Sequence, residues 1–334
     1  MTKRSAADAT YGHMVRILTP EGSHAIESTE LPPVLARLSE ESSPVTWIHT
    51  ELSPVVIQAL DEMGLDEIAV KSLREGPERP RVEEFADHLY VSLFSAESVE
   101  PGDQPGVLPR LKDLRLFLGP RWIISVGEIA KPDYEVLADR VRRQVFSRQR
   151  GVSFVAYQIC EWLVESLQPA LDGLDDRIDS LEDQVVLGTD EGPIDELFNL
   201  KRDLVDLRRR VAPLRDVMQR LGAYGVLYVE PESEVYFRDV HDDVLRSIEL
   251  LDTYRDILSS ALDLHLSSVS NRLNRVMKQL TVVATVFMPL SFIVGLFGTN
   301  FTRMPFGSLV WFVIMFGLLF VSTVIMVVFS WRRR

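Results

Sequence analysis

Two apolar stretches near the carboxyl end of the chain constrain its fold most strongly. Leu280–Phe297 and Leu309–Phe329 contain no charged residue. Each is close to the ~20 residues that a helix needs to cross ~30 Å of hydrocarbon. Basic residues precede the first stretch and follow the second, whereas the link between them carries only Arg303. By the positive-inside rule, this pattern predicts two membrane-spanning helices in a cytoplasmic membrane, with both termini in the cytoplasm.

A long helix is predicted to lead into the first apolar stretch. No proline lies between Arg238 and Met288, and apolar residues recur in alternating steps of three and four from Val244 to Phe287. This spacing is typical of a helix with one apolar face. We therefore predict a single helix from about Asp239 to Asn300.

One face of this helix differs from the others. It carries small, hydroxyl, amide and thioether side chains, and from Asp263 onward it consists of Ser267, Ser270, Asn274, Met277, Thr281, Ala284, Met288, Ser291, Gly295 and Gly298. Most of the surrounding positions beyond Leu280 are Val, Ile, Leu or Phe. Such a row suits the lining of a pore. Small residues also let membrane helices pack closely, and the row alone does not separate these two interpretations.

The residues before this helix predict an α/β domain followed by a helical region. Strands are predicted at the short alternating segments Met14–Leu18, Val45–His49, Leu89–Phe94, Leu114–Leu118 and Trp122–Val126. Helices are predicted at Val55–Met63, Tyr134–Phe146, Phe154–Val186 and Ile194–Leu221. The last two helices should form an antiparallel hairpin. An acidic run from Asp172 to Asp183 follows the solvated face of the first of them.

These patterns divide the chain into consecutive segments. They are a cytoplasmic α/β domain (1–131), a cytoplasmic helical hairpin region (132–238), a stalk helix continuing into the first transmembrane helix (239–298), an outer loop (299–307), a second transmembrane helix (308–331) and a basic cytoplasmic tail (332–334). No apolar run occurs near Met1, so we expect no cleaved signal peptide and a cytosolic amino-terminal part.

Composition and motifs argue against several classes of function. The formal net charge of −13 disfavours nucleic acid as a partner, because phosphate binding needs a basic surface. The single cysteine, Cys160, excludes an internal disulfide framework and agrees with a reducing compartment. The six histidines are scattered, and neither a glycine-rich phosphate loop nor a nucleophile elbow occurs. We therefore predict no enzyme activity and no bound cofactor.

The link between the two apolar stretches contains the most specific motif, Gly298-Thr299-Asn300. Together with Tyr236–Val240, Leu266–Asn271, Met288–Leu290 and Arg79–Glu84, it resembles the two-transmembrane GxN superfamily of divalent-cation channels and transporters. That superfamily includes the CorA and ZntB branches. The resemblance covers nearly the whole chain. It implies a homopentamer in which the first span of five chains lines one pore and the soluble domains form a cytoplasmic funnel.

The same resemblance assigns residues to the ion pathway. Gly298, Thr299 and Asn300 would form the selectivity mouth, where five Asn300 carbonyls offer neutral oxygens to a hydrated ion. The positions that would line the pore and its gate are Asn274, Met277, Leu280, Thr281, Ala284, Met288, Ser291 and Gly295. The larger apolar members of this set would form constrictions that gate by dewetting.

Regulation by cytoplasmic metal is also implied. In the CorA branch, Mg²⁺ closes the channel by bridging carboxylates of neighbouring soluble domains, and Asp239 matches one of these positions. Asp263 is a second candidate ligand. The acidic pair expected opposite Asp239 corresponds here to Lys71 and Ser72, which supply no carboxylate. We therefore expect Mg²⁺ to inhibit this protein less than it inhibits a typical CorA.

The sequence specifies the family more closely than it specifies the transported ion. Mg²⁺ is favoured, with Co²⁺ and Ni²⁺ as further substrates. Thr299 replaces the methionine of the CorA signature, Phe306 replaces an acidic residue of the outer loop, and Arg303 adds a positive charge. A ZntB-like Zn²⁺ transporter, with or without proton coupling, is the alternative. A membrane-anchored scaffold or sensor is a second alternative. The predicted partners are divalent metal ions, the lipid bilayer and further copies of the chain.

Overall fold

The computed structural model describes residues 14–38, 43–97, 109–187, 194–297 and 308–332. These residues separate into two units, one ending at Ser260 and the other beginning at Ala261. The first unit contains a mixed sheet and most of the helices. The second contains the rest of a long helix and one further apolar helix.

A seven-stranded sheet forms the centre of the first unit. Its strands are β1 Met14–Thr19, β2 Gly22–Glu27, β3 Thr46–Thr50, β4 Arg81–Glu84, β5 Leu89–Ala96, β6 Leu111–Leu118 and β7 Trp122–Gly127. The spatial order is β2-β1-β3-β7-β6-β5-β4. Only β3 and β7 pair in parallel, and the other neighbouring pairs are antiparallel. Since β5 and β7 are buried along their whole length, the sheet is covered on both faces.

Helices cover the two faces of this sheet. Along the chain they are α1 Leu31–Leu38, α2 Pro54–Glu62, α3 Glu67–Glu75, α4 Lys131–Gln144 and α5 Val152–Glu165. The first three enclose one apolar core against the sheet, with Ile48, Tyr90 and Phe117 at its centre. On the opposite face, Trp47 of β3 packs against Tyr134 of α4, with ring centroids 5.1 Å apart. The predicted α/β class of the soluble domain is therefore confirmed.

The remaining helices are α6 Gln168–Leu187, α7 Ile194–Leu221, α8 Pro231–Phe297 and α9 Leu309–Arg332. In the first unit, α6, α7 and the beginning of α8 pack through apolar stripes. Their buried residues include Leu174, Ile178 and Leu181 of α6, Leu200, Leu204 and Leu207 of α7, and Val244, Leu251 and Leu258 of α8. Polar contacts also join these helices: Arg208 Nε to Asp252 Oδ1 at 2.7 Å, the Tyr254 hydroxyl to the Leu171 carbonyl at 3.4 Å, and an ion pair between Arg177 and Glu196.

One predicted helix is wrong, because Phe154–Val186 is not continuous. The structure ends α5 at Glu165 and begins α6 at Gln168. Pro169 explains the break, since its ring would collide with the carbonyl of Glu165 in a continuous helix and its nitrogen cannot donate a hydrogen bond. The prediction also omitted β2, α1, α3 and β4, which are short elements.

The long helix begins earlier than predicted, at Pro231. Proline is favoured at the first position of a helix because its missing N–H would have no partner there. Glu232 and Glu234 lie in the first turn, where negative charge is stabilised by the helix dipole. The helix then continues through Pro289 to Phe297.

The single cysteine provides a test of this packing. Cys160 of α5 is completely buried, and burial raises the pKa of its thiol to about 12. Because the thiolate is the reactive form, a maleimide should not label the native full-length protein at pH 8 and should label it after denaturation. Mass spectrometry measures the extent of labelling. The thiol introduced by Tyr224→Cys, at a position that is 87 % exposed, should react in the native protein. Equal native labelling of both thiols would contradict the structure.

Candidate ion pathway

The predicted pore row lies on the surface of α8 in a single chain. Apart from Leu280, its members between Asn274 and Gly295 are separated by steps of three and four residues, which places them on one side of the helix; Leu280 adjoins them, three residues from Met277. All of them are exposed. Met277 is 60 %, Leu280 61 % and Met288 74 % exposed. The row is therefore present as a continuous surface, and no other part of the described chain covers it.

Two threonine hydroxyls of this region form hydrogen bonds within the helix itself. Thr281 Oγ1 donates to the Met277 carbonyl at 2.8 Å, and Thr285 Oγ1 donates to the Thr281 carbonyl at 2.7 Å. Pro289 has no N–H, so the carbonyl of Thr285 does not receive the usual amide hydrogen bond from that position. Hydroxyl oxygens and one backbone carbonyl thus remain able to accept hydrogen bonds along this helix.

Open space continues to the end of the described row. A side chain added at Gly295 would meet no atom of the same chain within 4 Å. The predicted mouth, Gly298, Thr299 and Asn300, lies outside the described residues, and so do Arg303 and Phe306. Their assignment stays a prediction. On the other side of the link, α9 begins after Ser308, whose Oγ accepts from the Val310 N–H at 3.3 Å.

The apolar surface of the second unit is unusually large for a lone chain. Exposed side chains occur on every face of α8 beyond Leu264 and along α9, including Phe287, Phe292, Phe312 and Phe320. Within the described residues, the helix Pro231–Gly295 contains a stretch that is long and apolar enough to cross a membrane, and Leu309–Ile325 is a shorter apolar helix. An apolar surface of this extent requires lipid or other protein to cover it. The two-span topology stays a prediction.

Within the described residues, the two candidate regulatory ligands do not belong to a cluster of metal-ligating side chains. Asp239 and Asp263 are both exposed on α8. Among the described residues, no group of three His, Cys, Asp or Glu side chains is arranged to hold a metal ion. Mg²⁺ is usually bound through one or two carboxylates together with several waters. The regulatory role of Asp239 and Asp263 therefore stays a prediction.

The positions matched to the acidic pair differ from each other in the structure. Lys71 is exposed on α3 and lies 3.6 Å from Glu75. Ser72 is buried, and its hydroxyl lies 2.7 Å from both the Ala69 carbonyl and the Tyr90 hydroxyl. Of the two positions, only Lys71 is therefore available at the surface, because α3 turns Ser72 towards the sheet.

The base of α8 is held by polar contacts that sequence reasoning missed. The Glu230 carboxylate accepts a hydrogen bond from the Ser153 N–H at 3.1 Å, at the start of α5. Ser153 Oγ donates to Ser233 Oγ at 2.7 Å. Burial raises the pKa of the Glu230 carboxyl, and these backbone hydrogen bonds oppose that rise. Pro231 was the available signal for the start of this helix, because proline is favoured at the first helical position.

Phe237 adds an apolar contact to the polar ones that hold the base of α8. It is fully buried, and its ring makes an edge contact with Tyr157 of α5 at 6.3 Å between centroids. Tyr236 contacts the same tyrosine ring at 5.1 Å and also accepts a hydrogen bond from Arg150 at 3.3 Å. The segment Tyr236–Val240, which carries part of the family resemblance, therefore attaches α8 to the rest of the first unit.

Comparison with known proteins identifies the family. The family model described as "CorA-like Mg2+ transporter protein" matches residues 42–333. The chain belongs to the CorA-like family. The cobalt/magnesium transport protein CorA of Thermotoga maritima is 31 % identical over 299 residues, which cover 88 % of this chain and 84 % of that protein. The resemblance inferred from the sequence motifs is thus confirmed.

Members of more than one branch of the CorA-like family are similar to this chain. The zinc transport protein ZntB of Pectobacterium carotovorum is 25 % identical over 295 residues, covering 87 % of this chain and 84 % of that protein. Among solved structures, the CorA magnesium transporter of Methanocaldococcus jannaschii matches with a TM-score of 0.75 and 22 % identity. That match covers 95 % of this chain and 96 % of the other. It shows that the two chains share the CorA-like fold.

The placement of Lys71 yields a test of metal regulation. We expect millimolar Mg²⁺ to protect the wild-type protein from chymotrypsin, which cleaves after neither Lys nor Glu, only weakly, because Lys71 puts a positive charge where the CorA branch has a carboxylate. Lys71→Glu should increase this protection. Lys131→Glu is the matched control, since Lys131 is similarly exposed and lies 3.8 Å from Glu135 one helical turn away.

The readout is the half-life of the full-length band with and without Mg²⁺. Ser72→Asp is unsuitable because it would bury a carboxylate beside Tyr90. Strong protection of the wild type that is lost in Asp239→Ala would show that the metal sensor of the CorA branch is intact and that Lys71 is misaligned.

Proposed function

We propose that five copies of this chain form a channel for divalent cations, with Mg²⁺ as the favoured ion, in the cytoplasmic membrane. The exposed row of small, polar and thioether side chains on α8 carries the proposal. This row would line the pore, and Gly298, Thr299 and Asn300 would form its outer mouth. The description of the matching family model and the printed name of the Thermotoga maritima relative support Mg²⁺ transport.

The chemistry of the row suits a hydrated ion. No Asp or Glu occurs between Leu264 and Phe297, so the pathway offers hydroxyl, amide and carbonyl oxygens without negative charge. Mg²⁺ gives up its water ligands reluctantly, and neutral oxygens can contact the hydrated ion without displacing those waters. Binding by neutral groups is weak enough for release, which conduction requires.

Self-association accounts for the exposed surface of the second unit. Lipid can cover the large apolar side chains of α8 and α9, but it offers no hydrogen-bond partner to polar groups such as the Ser291 hydroxyl or the backbone carbonyl that Pro289 leaves without its amide partner. Packing several copies around a shared axis would remove these groups from lipid and place them around water. The pentameric number follows from the resemblance to the CorA-like family.

Zinc transport is the second candidate, because a relative named for zinc transport is similar over most of the chain. Purified protein in liposomes separates the candidates. Influx of Mg²⁺, Zn²⁺ and Co²⁺ is measured with and without a proton gradient. Mg²⁺ influx that is independent of the gradient supports the proposal. Zn²⁺ influx driven by the gradient would favour the alternative, and no influx of any ion would favour a scaffold or sensor.

Removing the mouth amide tests the assignment of Asn300. Asn300→Ala should reduce Mg²⁺ influx to background, because it deletes the neutral oxygens that face the ion, while the oligomer stays intact in size-exclusion chromatography. Asn199→Ala, at an exposed position of α7, applies the same change in the first unit and should leave influx unchanged. Normal influx and selectivity in Asn300→Ala would refute the site.

The gate is tested by two further substitutions. Leu280→Gly and Met288→Gly should each raise influx several-fold at equal protein amount, because a wider constriction holds water more easily. Val282→Gly is the control: Val282 is 38 % exposed, lies on the side of α8 away from the row, and the variant introduces the same residue of low helix propensity. If Val282→Gly raises influx as much as the row variants do, helix weakening and not the pore face is responsible.

A further inference from the structure

A groove in the first unit, away from α8, carries a second proposal that goes beyond ion transport. It lies between the loop joining α3 to β4 and the exposed side of α7, and its volume is about 300 Å³. Its lining residues are Pro77, Glu78, Arg79, Pro80, Phe94, Asp113, Arg209 and Arg210. We call it the arginine groove, because three guanidinium groups line it.

Buried contacts hold the loop side of the arginine groove in place. Arg115 is only 4 % exposed, and its Nη2 donates to the Gly76 carbonyl at 2.5 Å. Glu78 is held by two partners, Arg81 Nε at 2.5 Å and the Tyr90 hydroxyl at 2.8 Å. Pro80 is buried beside them. Arg79, between Glu78 and Pro80, therefore projects from a loop that these contacts hold in place.

The arginines of the groove are not neutralised by the carboxylates around them. Within the described part of the chain, neither Arg79 nor Arg210 forms an ion pair, and Arg209 lies 3.7 Å from Asp206, with both of these side chains largely exposed. Both oxygens of Glu78 already have partners. The remaining wall carboxylate, Asp113, contacts Arg115 at 3.5 Å. Burial raises the pKa of Asp113, and the charges of Arg115 and Arg210 oppose that rise.

We propose that the arginine groove binds a small polyphosphate. The planar fork of arginine matches the oxygens of a phosphate group and forms two parallel hydrogen bonds with it. The three guanidinium groups carry more positive charge than one carboxylate or one phosphate monoester can neutralise. A di- or triphosphate therefore matches them best. The cavity volume is at the lower end of the range for small-molecule sites. Nucleic acid does not suit a protein whose net charge is −13.

A neighbouring cavity extends the groove along α7. It has a volume of about 370 Å³ and shares Arg79 and Pro80 with the arginine groove. Its other lining residues are Arg81, Val82, Pro213, Asp216, Val217 and Arg220. Arg81 and Arg220 are already paired with carboxylates. This cavity therefore adds room for a ligand but adds little unpaired positive charge. A ligand longer than pyrophosphate, such as a nucleoside triphosphate, would reach into it.

Calorimetric titration of the full-length protein in detergent tests the proposal. Inorganic pyrophosphate and ATP are titrated in metal-free buffer at low ionic strength. We expect saturable binding of both, with tighter binding of ATP. Arg79→Gln combined with Arg210→Gln should weaken binding at least tenfold. Arg143→Gln combined with Arg202→Gln is the matched control, because it removes the same charge from exposed positions outside the groove and should leave affinity unchanged.

Three outcomes would overturn the proposal. They are no saturable binding of pyrophosphate or ATP to the wild type at millimolar concentration, equal weakening by the groove and control variants, and citrate binding as tightly as pyrophosphate. Circular dichroism checks that each variant is folded. The conservative Arg79→Lys keeps the charge but loses the planar fork, and it should weaken binding less than Arg79→Gln. The measurement involves no ion flux, so its result is independent of the proposed transport.

Discussion

The structure depends on α8, a helix whose apolar side chains are buried in its first part and exposed in its second. In its first part, α8 buries a stripe from Phe237 to Leu258 against α5, α6 and α7. Beyond Leu264, large apolar side chains are exposed on every face. The backbone makes internal helical hydrogen bonds in both parts, apart from the one that Pro289 cannot donate, and such internal pairing is the condition for crossing a membrane. Only the side chains change, and this change allows a polar row to run through an apolar segment.

Both polar and apolar side chains attach the base of α8 to the rest of the first unit. Glu230 and Ser233 bind the start of α5 through hydrogen bonds, while Phe237 packs into an apolar site beside Tyr157. A displacement of α5 would have to break buried hydrogen bonds or move α8 with it. Breaking them leaves buried polar groups unpaired, which is costly. This attachment therefore couples the base of the long helix to the sheet domain.

Sequence patterns predicted the elements that are long or strictly alternating. The strands at Leu89–Phe94 and Leu114–Leu118 and the helix at Ile194–Leu221 were placed correctly, because their periodicity extends over several residues. The short β4 and α3 were missed, since four to nine residues carry little periodic signal and are stabilised by neighbours distant in sequence. The break before Pro169 was missed although its cause is local, because the apolar pattern continues across it.

By itself, the sequence determined the family, the apolar lengths, the charge distribution and the face of α8 that carries the polar row. These features are local, because helical periodicity relates residues only three and four positions apart. Only the tertiary structure decided that Ser72 is buried and that Arg79 lies beside Arg209 and Arg210 in one groove. The segments that form this groove are far apart in the chain, and no local sequence pattern predicts that they come into contact. They meet because β4 forms the edge of the sheet and packs against α7.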